Sequence, residues 1–154
     1  TNVLRTGSKI LATMTLICDA GKGAVMVGFV TWAGADPLVI AIAGASSVAG
    51  HCFPVWLKFK GGKGIATNVA VFAAFDIRLG LAFAGLWLST AAITRYSSLA
   101  ALVATLGCTI TAVWLGIDQP IAIAVLLMST LSWTRHHENI GRLLTGTETR
   151  IGGR

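Results

Sequence analysis

Charge is scarce in this sequence. Twelve basic and six acidic residues make up only 12% of the 154 positions, whereas a soluble globular domain normally has about a quarter of its residues charged. Hydrophobic residues make up 55% of the chain, and the mean hydropathy is +0.76. This composition excludes an ordinary soluble fold and predicts an all-α polytopic membrane protein.

Cysteine is also scarce and carries no pattern. Cys18, Cys52 and Cys108 are scattered through apolar segments, and no CxxC or Cys/His ligand spacing is present. We therefore expect three small buried hydrophobic side chains, with no metal site and no cofactor. A nucleophilic pair of His51 and Cys52 fits poorly, because adjacent helical residues point about 100° apart.

Linkers, low-complexity runs and fixed repeats are absent, so residues 1–154 are predicted to form a single integral membrane domain. The apolar segments cover residues 10–35, 37–53, 65–76, 78–94, 97–117 and 119–134. A helix needs about 20 residues to cross the hydrocarbon layer, and the third segment is shorter. It is tilted, buried among its neighbours, or fused with the fourth segment around Asp76 and Arg78.

The distribution of charge favours six crossings over five. With six crossings, ten of the twelve basic residues share one face and Asp36, Asp76, Asp118 and Arg78 mark the other. The ten are Arg5, Lys9, Lys58, Lys60, Lys63, Arg95, Arg135, Arg142, Arg150 and Arg154. The positive-inside rule then predicts that the basic loops and the C-terminus are cytoplasmic.

Asp19 and Lys22 interrupt the first apolar segment. Their i,i+3 spacing sets both on one helical face, and Asp19 is ten residues, or about 15 Å of helix, from Lys9. Charges at that depth are costly, so they indicate either a mutual ion pair or a substrate-facing site. The sequence alone leaves both interpretations open.

The segment FPVWLKFKGGKGIATN (53–68) has the properties of an anion-binding loop. Gly61, Gly62 and Gly64 would let backbone N–H groups converge on an oxygen, and a helix beginning near Ile65 would add the positive end of its dipole. Three lysines supply positive charge: Lys58, Lys60 and Lys63. The alternative is a cytoplasmic loop that contacts anionic lipid headgroups.

Nucleotide loops and several hydrolytic machineries are excluded by spacing. The pattern GxxxxGK[ST] would need Gly at Leu57 and Ser or Thr at Gly64. The HxxxxD pattern of the acyltransferases that have a soluble-type domain would need Asp at Trp56 or Gly141. No GxSxG or HExxH occurs, so the chain has no obvious covalent nucleophile.

A second polar motif follows the last apolar segment. His136 and Asn139 share one helical face at i,i+3 if the helix continues past Trp133, and Arg135 and Arg142 flank them. Histidine can accept a proton or bind phosphate when charged. Asparagine can donate a hydrogen bond to a developing oxyanion. A solvated polar surface is the alternative for this motif.

Five motifs, in order, resemble those of the bacterial membrane glycerol-3-phosphate acyltransferases that use acyl-phosphate as donor. They are TNVLRTGSK (1–9), DAGKG (19–23), HCFPVWLKFKGGKGIAT (51–67), TRYSSLA (94–100) and HHENIGRLLTGTE (136–148). The resemblance implies seven transmembrane helices in the complete family fold, with the active site on the cytoplasmic face of the cell's inner membrane. The chain opens inside the first family motif, GSGNxGATN, so we expect it to lack the family's first helix.

The resemblance also implies roles for particular residues. Arg5, Lys63, Ser98, His136 and Asn139 would line the site for two phosphorylated substrates, with Lys60 as a further phosphate-binding candidate. Gly61, Gly62 and Gly64 would shape the loop. Glu148 would be a structural partner of a nearby base, and His51 would hold the loop entrance.

The implied reaction moves a fatty acyl group from acyl-phosphate to glycerol-3-phosphate and gives lysophosphatidic acid for phospholipid biosynthesis. Either His136 or the departing phosphate would take the proton. Two alternatives stay open, a membrane transporter of organic phosphate or other anions and an inactive fragment. The bilayer and the two phosphorylated substrates are the expected partners, and no nucleic acid is expected.

Overall fold

The computed structural model describes residues 8–152, and every regular element in that range is helical. Seven α-helices follow one another: α1 (Lys9–Trp32), α2 (Pro37–Cys52), α3 (Ile65–Phe75), α4 (Ile77–Thr94), α5 (Ser97–Trp114), α6 (Gln119–Arg135) and α7 (His137–Leu144). A 3-10 turn, Val55–Leu57, follows α2. The predicted all-α class is confirmed.

Four stretches in the described range are long and apolar enough to cross a membrane: Lys9–Trp32, Pro37–Leu57, Ile77–Thr94 and Ser97–Trp114. Helix α6 has 17 residues and α3 has 11. Eleven residues span only about 16 Å, roughly half the hydrocarbon thickness. Six complete crossings therefore stay a prediction.

Helix α3 is short because the chain turns sharply at Asp76, which has an extended backbone. The Asp76 carboxylate caps α4 by accepting from the backbone N–H of Arg78 and pairs with its guanidinium at 2.6 Å. Gly80 packs directly against Ala73, so α4 folds back onto α3. Of the three possibilities for this segment, fusion with the next helix is wrong and burial among neighbours is observed.

Close helix contacts hold α3 in the centre of the bundle. Helix α3 packs on α1 and α4, while α2 packs on α1 and α6 and α5 packs on α4 and α6. Gly23 of α1 lies against Val71 and Thr67, and Gly44 of α2 lies against Val71 and Phe75. Small residues let helix backbones approach where lipid supplies no hydrophobic driving force. The fully buried Val71 marks this crossing.

The cysteine prediction is correct for two of the three residues. Cys52 and Cys108 are buried, but Cys18 is exposed. It lies on the first half of α1, where the sequence KILATMTLIC turns apolar side chains outward on every face. An apolar run indicates burial in either protein or lipid, and only the packing of neighbouring helices distinguishes the two.

The segment after α7 is tied to the junction between α4 and α5. The backbone N–H of Ile151 donates to the Arg95 carbonyl at 2.7 Å, and the Arg95 guanidinium donates to the Ile151 carbonyl at 2.8 Å. The Arg150 guanidinium carbon lies over the Tyr96 ring, 5.5 Å from its centroid. These contacts bring Glu148 to the first turn of α5.

Candidate functional site

Polar side chains from four separate segments meet where α3 and α5 begin and α6 ends. The Lys63 ammonium donates to Oδ1 of Asn139, whose Nδ2 donates to Oε1 of Glu148 at 2.6 Å. The Ser98 hydroxyl donates to the same carboxylate oxygen at 2.6 Å. Arg142 Nε donates to the other oxygen, Oε2, at 2.7 Å. We call these five residues the Glu148 network.

Glu148 is the acceptor at the centre of this network. Burial alone would raise the pKa of its carboxyl group, but the hydrogen bonds from Ser98, Asn139 and Arg142 outweigh burial and lower that pKa. The carboxylate is therefore charged at neutral pH. It orients the side chains of Ser98 and Asn139, which the sequence singled out as site residues, and it neutralises Arg142.

His136 lies at the junction of two helices. Helix α6 continues past Trp133 only to Arg135, and α7 begins at His137, so the single continuous helix considered for His136 and Asn139 is interrupted. Both residues are nevertheless buried, His136 with 4% of its surface exposed. The interruption turns Asn139 toward the beginning of α3, where its amide meets Lys63.

The orientation of the His136 ring follows from one hydrogen bond. Nδ1 lies 2.7 Å from the Ser132 carbonyl, which can only accept, so Nδ1 carries the hydrogen in the neutral ring. Nε2 then holds the lone pair. Burial, with the nearby charge of Lys63, lowers the pKa of His136 against the opposing effects of the Ser132 hydrogen bond and Glu148. His136 is thus a neutral imidazole at pH 7, suited to accept a proton.

The glycines of the loop serve close packing rather than open anion binding. The N–H of Gly61 donates to the Cys52 carbonyl at 3.2 Å, and that of Gly62 donates to the His51 carbonyl at 3.3 Å. A Cβ on Gly61 would overlap the His51 carbonyl oxygen, and one on Gly62 would overlap the His51 ring. Convergence of these two N–H groups on an anion, as expected from the sequence, is therefore wrong, because both already have acceptors.

The other edge of the loop is held by Arg135. Its guanidinium donates to the carbonyls of Gly61 at 2.9 Å and Gly62 at 3.2 Å, and it lies 5.2 Å over the ring of Phe53. The sequence marked Arg135 only as a residue flanking His136. In the structure it fastens the glycine loop to the end of α6.

Donors for an anion remain at the start of α3. Gly64 adopts the left-handed conformation, with φ of +82°, that glycine allows at no steric cost. The first backbone bond of the helix runs from Asn68 N–H to the Gly64 carbonyl at 2.7 Å. The N–H groups of residues 65–67 precede that bond and have no backbone acceptor in the described chain. The positive end of α3 and the Lys63 ammonium thus lie together.

Two further phosphate-binding residues were predicted, Lys60 and Arg5. Lys60 is exposed on the surface of the loop. Arg5 falls outside the described residues. Burial and the charge of Arg142 lower the pKa of Lys63, while Glu148 opposes that shift.

Asp19 and Lys22 form an ion pair at 2.7 Å, and His51 joins them. The Lys22 ammonium also donates to His51 Nδ1 at 2.7 Å, and Asp19 lies 3.2 Å from the same nitrogen. We call these three residues the α1–α2 cluster. Its His51 ring fills the space beside Gly62, so the cluster supports the loop there. The interpretation as a mutual ion pair agrees with this geometry.

The glycerol-3-phosphate acyltransferase family model matches residues 1–146. This chain belongs to that family. It is 51% identical to the glycerol-3-phosphate acyltransferase of Agrobacterium fabrum, an alignment that covers 99% of this chain and 73% of the relative. It is 50% identical to the enzyme of the same name from Dinoroseobacter shibae, covering 100% of this chain and 75% of the relative.

Solved structures of a glycerol-3-phosphate acyltransferase have the same fold. Crystal structures of PlsY, an integral membrane glycerol 3-phosphate acyltransferase, match at 35% identity. The glycerol 3-phosphate form has a TM-score of 0.91 over 98% of this chain and 76% of that one. The lysophosphatidic acid form has a TM-score of 0.90 over 97% of this chain and 76% of that one. The chain is therefore an integral membrane protein of the acyltransferase family.

Sequence reasoning missed two residues that lie beside Lys63, Asn68 and Ser132. Both are fully buried, and the Asn68 amide donates to the Ser132 hydroxyl at 2.7 Å. The available signal was a polar residue within a predicted membrane segment: Asn68 in IATNVAVF, and Ser132 among the hydroxyl residues of MSTLSW. Such residues usually have a partner when they are buried.

Proposed function

We propose that this protein transfers a fatty acyl group from acyl-phosphate to glycerol-3-phosphate, giving lysophosphatidic acid and phosphate. One observation carries the proposal. In a member of the glycerol-3-phosphate acyltransferase family, the Lys63 ammonium and the start of α3 form an anion site near a buried, neutral His136. We place this site on the cytoplasmic face of a bacterial inner membrane, in keeping with the positive-inside rule.

The proposed chemistry suits this group of residues. Acyl-phosphate is already an activated mixed anhydride, so the free hydroxyl of glycerol-3-phosphate attacks its carbonyl carbon directly. The new ester C–O bond forms as the bond to phosphate breaks, and phosphate leaves with the electron pair. The protein mainly holds two anions together and aligns them. The hydroxyl proton goes to His136 Nε2 or to the departing phosphate.

Each predicted site residue has a role in this proposal. Lys63 and the N–H groups after Gly64 bind phosphate, with Arg5 and Lys60 as further cations. Both ends of the Asn139 amide are engaged, so Asn139 sets the position of the Lys63 ammonium. Ser98 lines the same site through its bond to Glu148. Gly61 and Gly62 fix the course of the loop.

The donor is tested with membranes that contain the protein and radiolabelled glycerol-3-phosphate. Palmitoyl-phosphate, palmitoyl-CoA and palmitoyl-acyl carrier protein are supplied in separate reactions, and labelled lysophosphatidic acid is measured. We expect product from palmitoyl-phosphate alone. Product from a thioester but not from the acyl-phosphate would overturn the proposed donor, and membranes without the protein give the background.

The same membranes distinguish acylation from transport. Sealed vesicles are given labelled glycerol-3-phosphate without any acyl donor, and the label retained inside is counted after filtration. We expect no uptake above that of vesicles lacking the protein. Uptake without any acylated product would favour the transporter alternative instead.

A further inference from the structure

Ser132 and Asn68 form a buried polar pair between α6 and α3, directly behind the anion site. Neither side chain is exposed. The Asn68 amide donates from Nδ2 to the Ser132 hydroxyl oxygen at 2.7 Å. The Ser132 hydroxyl in turn donates to the Lys63 carbonyl at 3.1 Å.

The direction of these bonds is fixed by the chemistry of the groups. An amide NH2 can only donate and a backbone carbonyl can only accept. The Ser132 hydroxyl oxygen therefore accepts a hydrogen bond from Asn68, and its single hydrogen is donated to the Lys63 carbonyl. Asn68 thus orients the hydroxyl, and the hydroxyl fastens the main chain of Lys63 to α6.

The same serine also holds His136. Its backbone carbonyl is the acceptor for His136 Nδ1 at 2.7 Å. Ser132 is therefore bonded through its side chain to the residue that carries the ammonium and through its main chain to the imidazole. No other residue in the described chain is hydrogen-bonded to both Lys63 and His136.

We propose that Ser132, oriented by Asn68, is a positioning residue that fixes the Lys63 main chain relative to the His136 ring. The inference rests on the proposed function, since it assigns a task within that site. Ser132 does not reach the substrates in this role. It acts through Lys63, so its loss should chiefly weaken the use of glycerol-3-phosphate.

Ser129 offers a matched control on the same helix. It lies almost one turn earlier, has 4% of its surface exposed, and donates to the Thr105 carbonyl of α5 at 3.0 Å. Ser129→Ala and Ser132→Ala each remove one buried hydroxyl that bonds across to a neighbouring segment. Only the second disconnects Lys63.

The experiment compares steady-state kinetics of these two variants with the wild-type protein. In Ser132→Ala, the Lys63 carbonyl and the Asn68 amide lose a buried hydrogen-bond partner. We expect the KM for glycerol-3-phosphate to rise about tenfold as a result. We expect Ser129→Ala to keep its KM within about twofold of wild type, while both variants lower the melting temperature by similar amounts. The KM for palmitoyl-phosphate should not change in either variant.

Asn68→Ala supplies a second test through a double-mutant cycle. If Asn68 acts only by orienting the Ser132 hydroxyl, its substitution should have little further effect on KM once Ser132 is alanine. Equal KM values for the Ser132 and Ser129 variants, or fully additive effects of Ser132→Ala and Asn68→Ala, would overturn the inference. A wild-type protein that makes no product at all would instead overturn the proposed function and this inference with it.

Discussion

Two polar groups touch the glycine loop, and they differ in how their charges are balanced. In the α1–α2 cluster, Lys22 contacts both Asp19 and His51, so its positive charge is neutralised inside the cluster. In the Glu148 network, Arg142 pairs with Glu148 at 2.7 Å and with Glu138 at 3.8 Å, whereas Lys63 reaches Glu148 only through Asn139. The network keeps positive charge available for an anion, whereas the cluster does not.

This difference separates a structural charge pair from a ligand site. In the sequence, Asp19 and Lys22 interrupt an apolar segment, where charge indicates either a site or an ion pair. Lys63, His136 and Asn139 lie in polar motifs outside the apolar segments. The two groups are distinguished by how many oppositely charged partners surround each lysine. The two groups then make separate predictions, because His51 and Lys22 of the cluster can be exchanged in parallel with His136 and with Lys63 of the network.

The histidines should differ most. His136→Ala removes the only proposed protein base, and we expect kcat to fall about a hundredfold or more. His51→Ala removes a ring that supports Gly62, so its effect should fall mainly on KM. Initial rates at saturating palmitoyl-phosphate give both constants. Comparable losses of kcat in the two variants would remove the distinction between the groups.

The lysines should differ less strongly. Lys63→Ala removes a charge-assisted contact to phosphate, and we expect the KM for glycerol-3-phosphate to rise at least about tenfold. Lys22→Ala breaks a partly exposed ion pair, and such pairs contribute about 1 kcal/mol or less. Its KM should stay near that of wild type. A larger KM increase in Lys22→Ala than in Lys63→Ala would reverse the assignment of the two groups.

A smaller effect is expected where the α1–α2 cluster touches the loop. A Cβ on Gly62 would overlap the end of the His51 ring, which can rotate away, whereas a Cβ on Gly50 meets nothing within 4 Å. Gly62→Ala should raise the KM for glycerol-3-phosphate a few-fold and should also loosen the contact of His51 with Lys22. Gly50→Ala is the control for added bulk near the end of α2, and an equal KM change there would contradict the packing argument.

The pH dependence gives the smallest and most specific test. The pKa of His136 is below its ordinary value of 6.5, so the base stays neutral as pH falls and kcat should decline only below that pH. The Lys63 charge is one cause of the lowered pKa. Lys63→Ala should therefore shift the acidic limb of the kcat profile to higher pH. A profile without an acidic limb would identify the departing phosphate as the proton acceptor.

Much of the fold follows from apolar runs and turn residues. The predicted segments 65–76 and 78–94 correspond to α3 and α4 with boundaries that differ by one residue. Helix α7 (His137–Leu144) had no such signal, because an eight-residue polar helix at the surface contains no apolar run. Its side chains Asn139 and Arg142 are held by hydrogen bonds to Glu148.

The site was predictable as a set of residues but not as a set of bonds. The motifs name Lys63, His136 and Asn139, which do lie near one another. The acceptors of the Gly61 and Gly62 N–H groups are carbonyls at the end of α2. Their position depends on tertiary packing, which no local sequence pattern describes. The pair of Asn68 and Ser132 is separated by 64 positions, so no local pattern connects them.

The glycine loop is bonded along both edges, to the carbonyls of His51 and Cys52 on one side and to Arg135 on the other. A free loop would lose roughly 1–2 kcal/mol of backbone entropy per residue when a ligand ordered it. Here that freedom is lost once, when the chain folds. Substrate binding at this loop should therefore carry a small entropic penalty. Titration calorimetry measures that penalty as the entropy of binding.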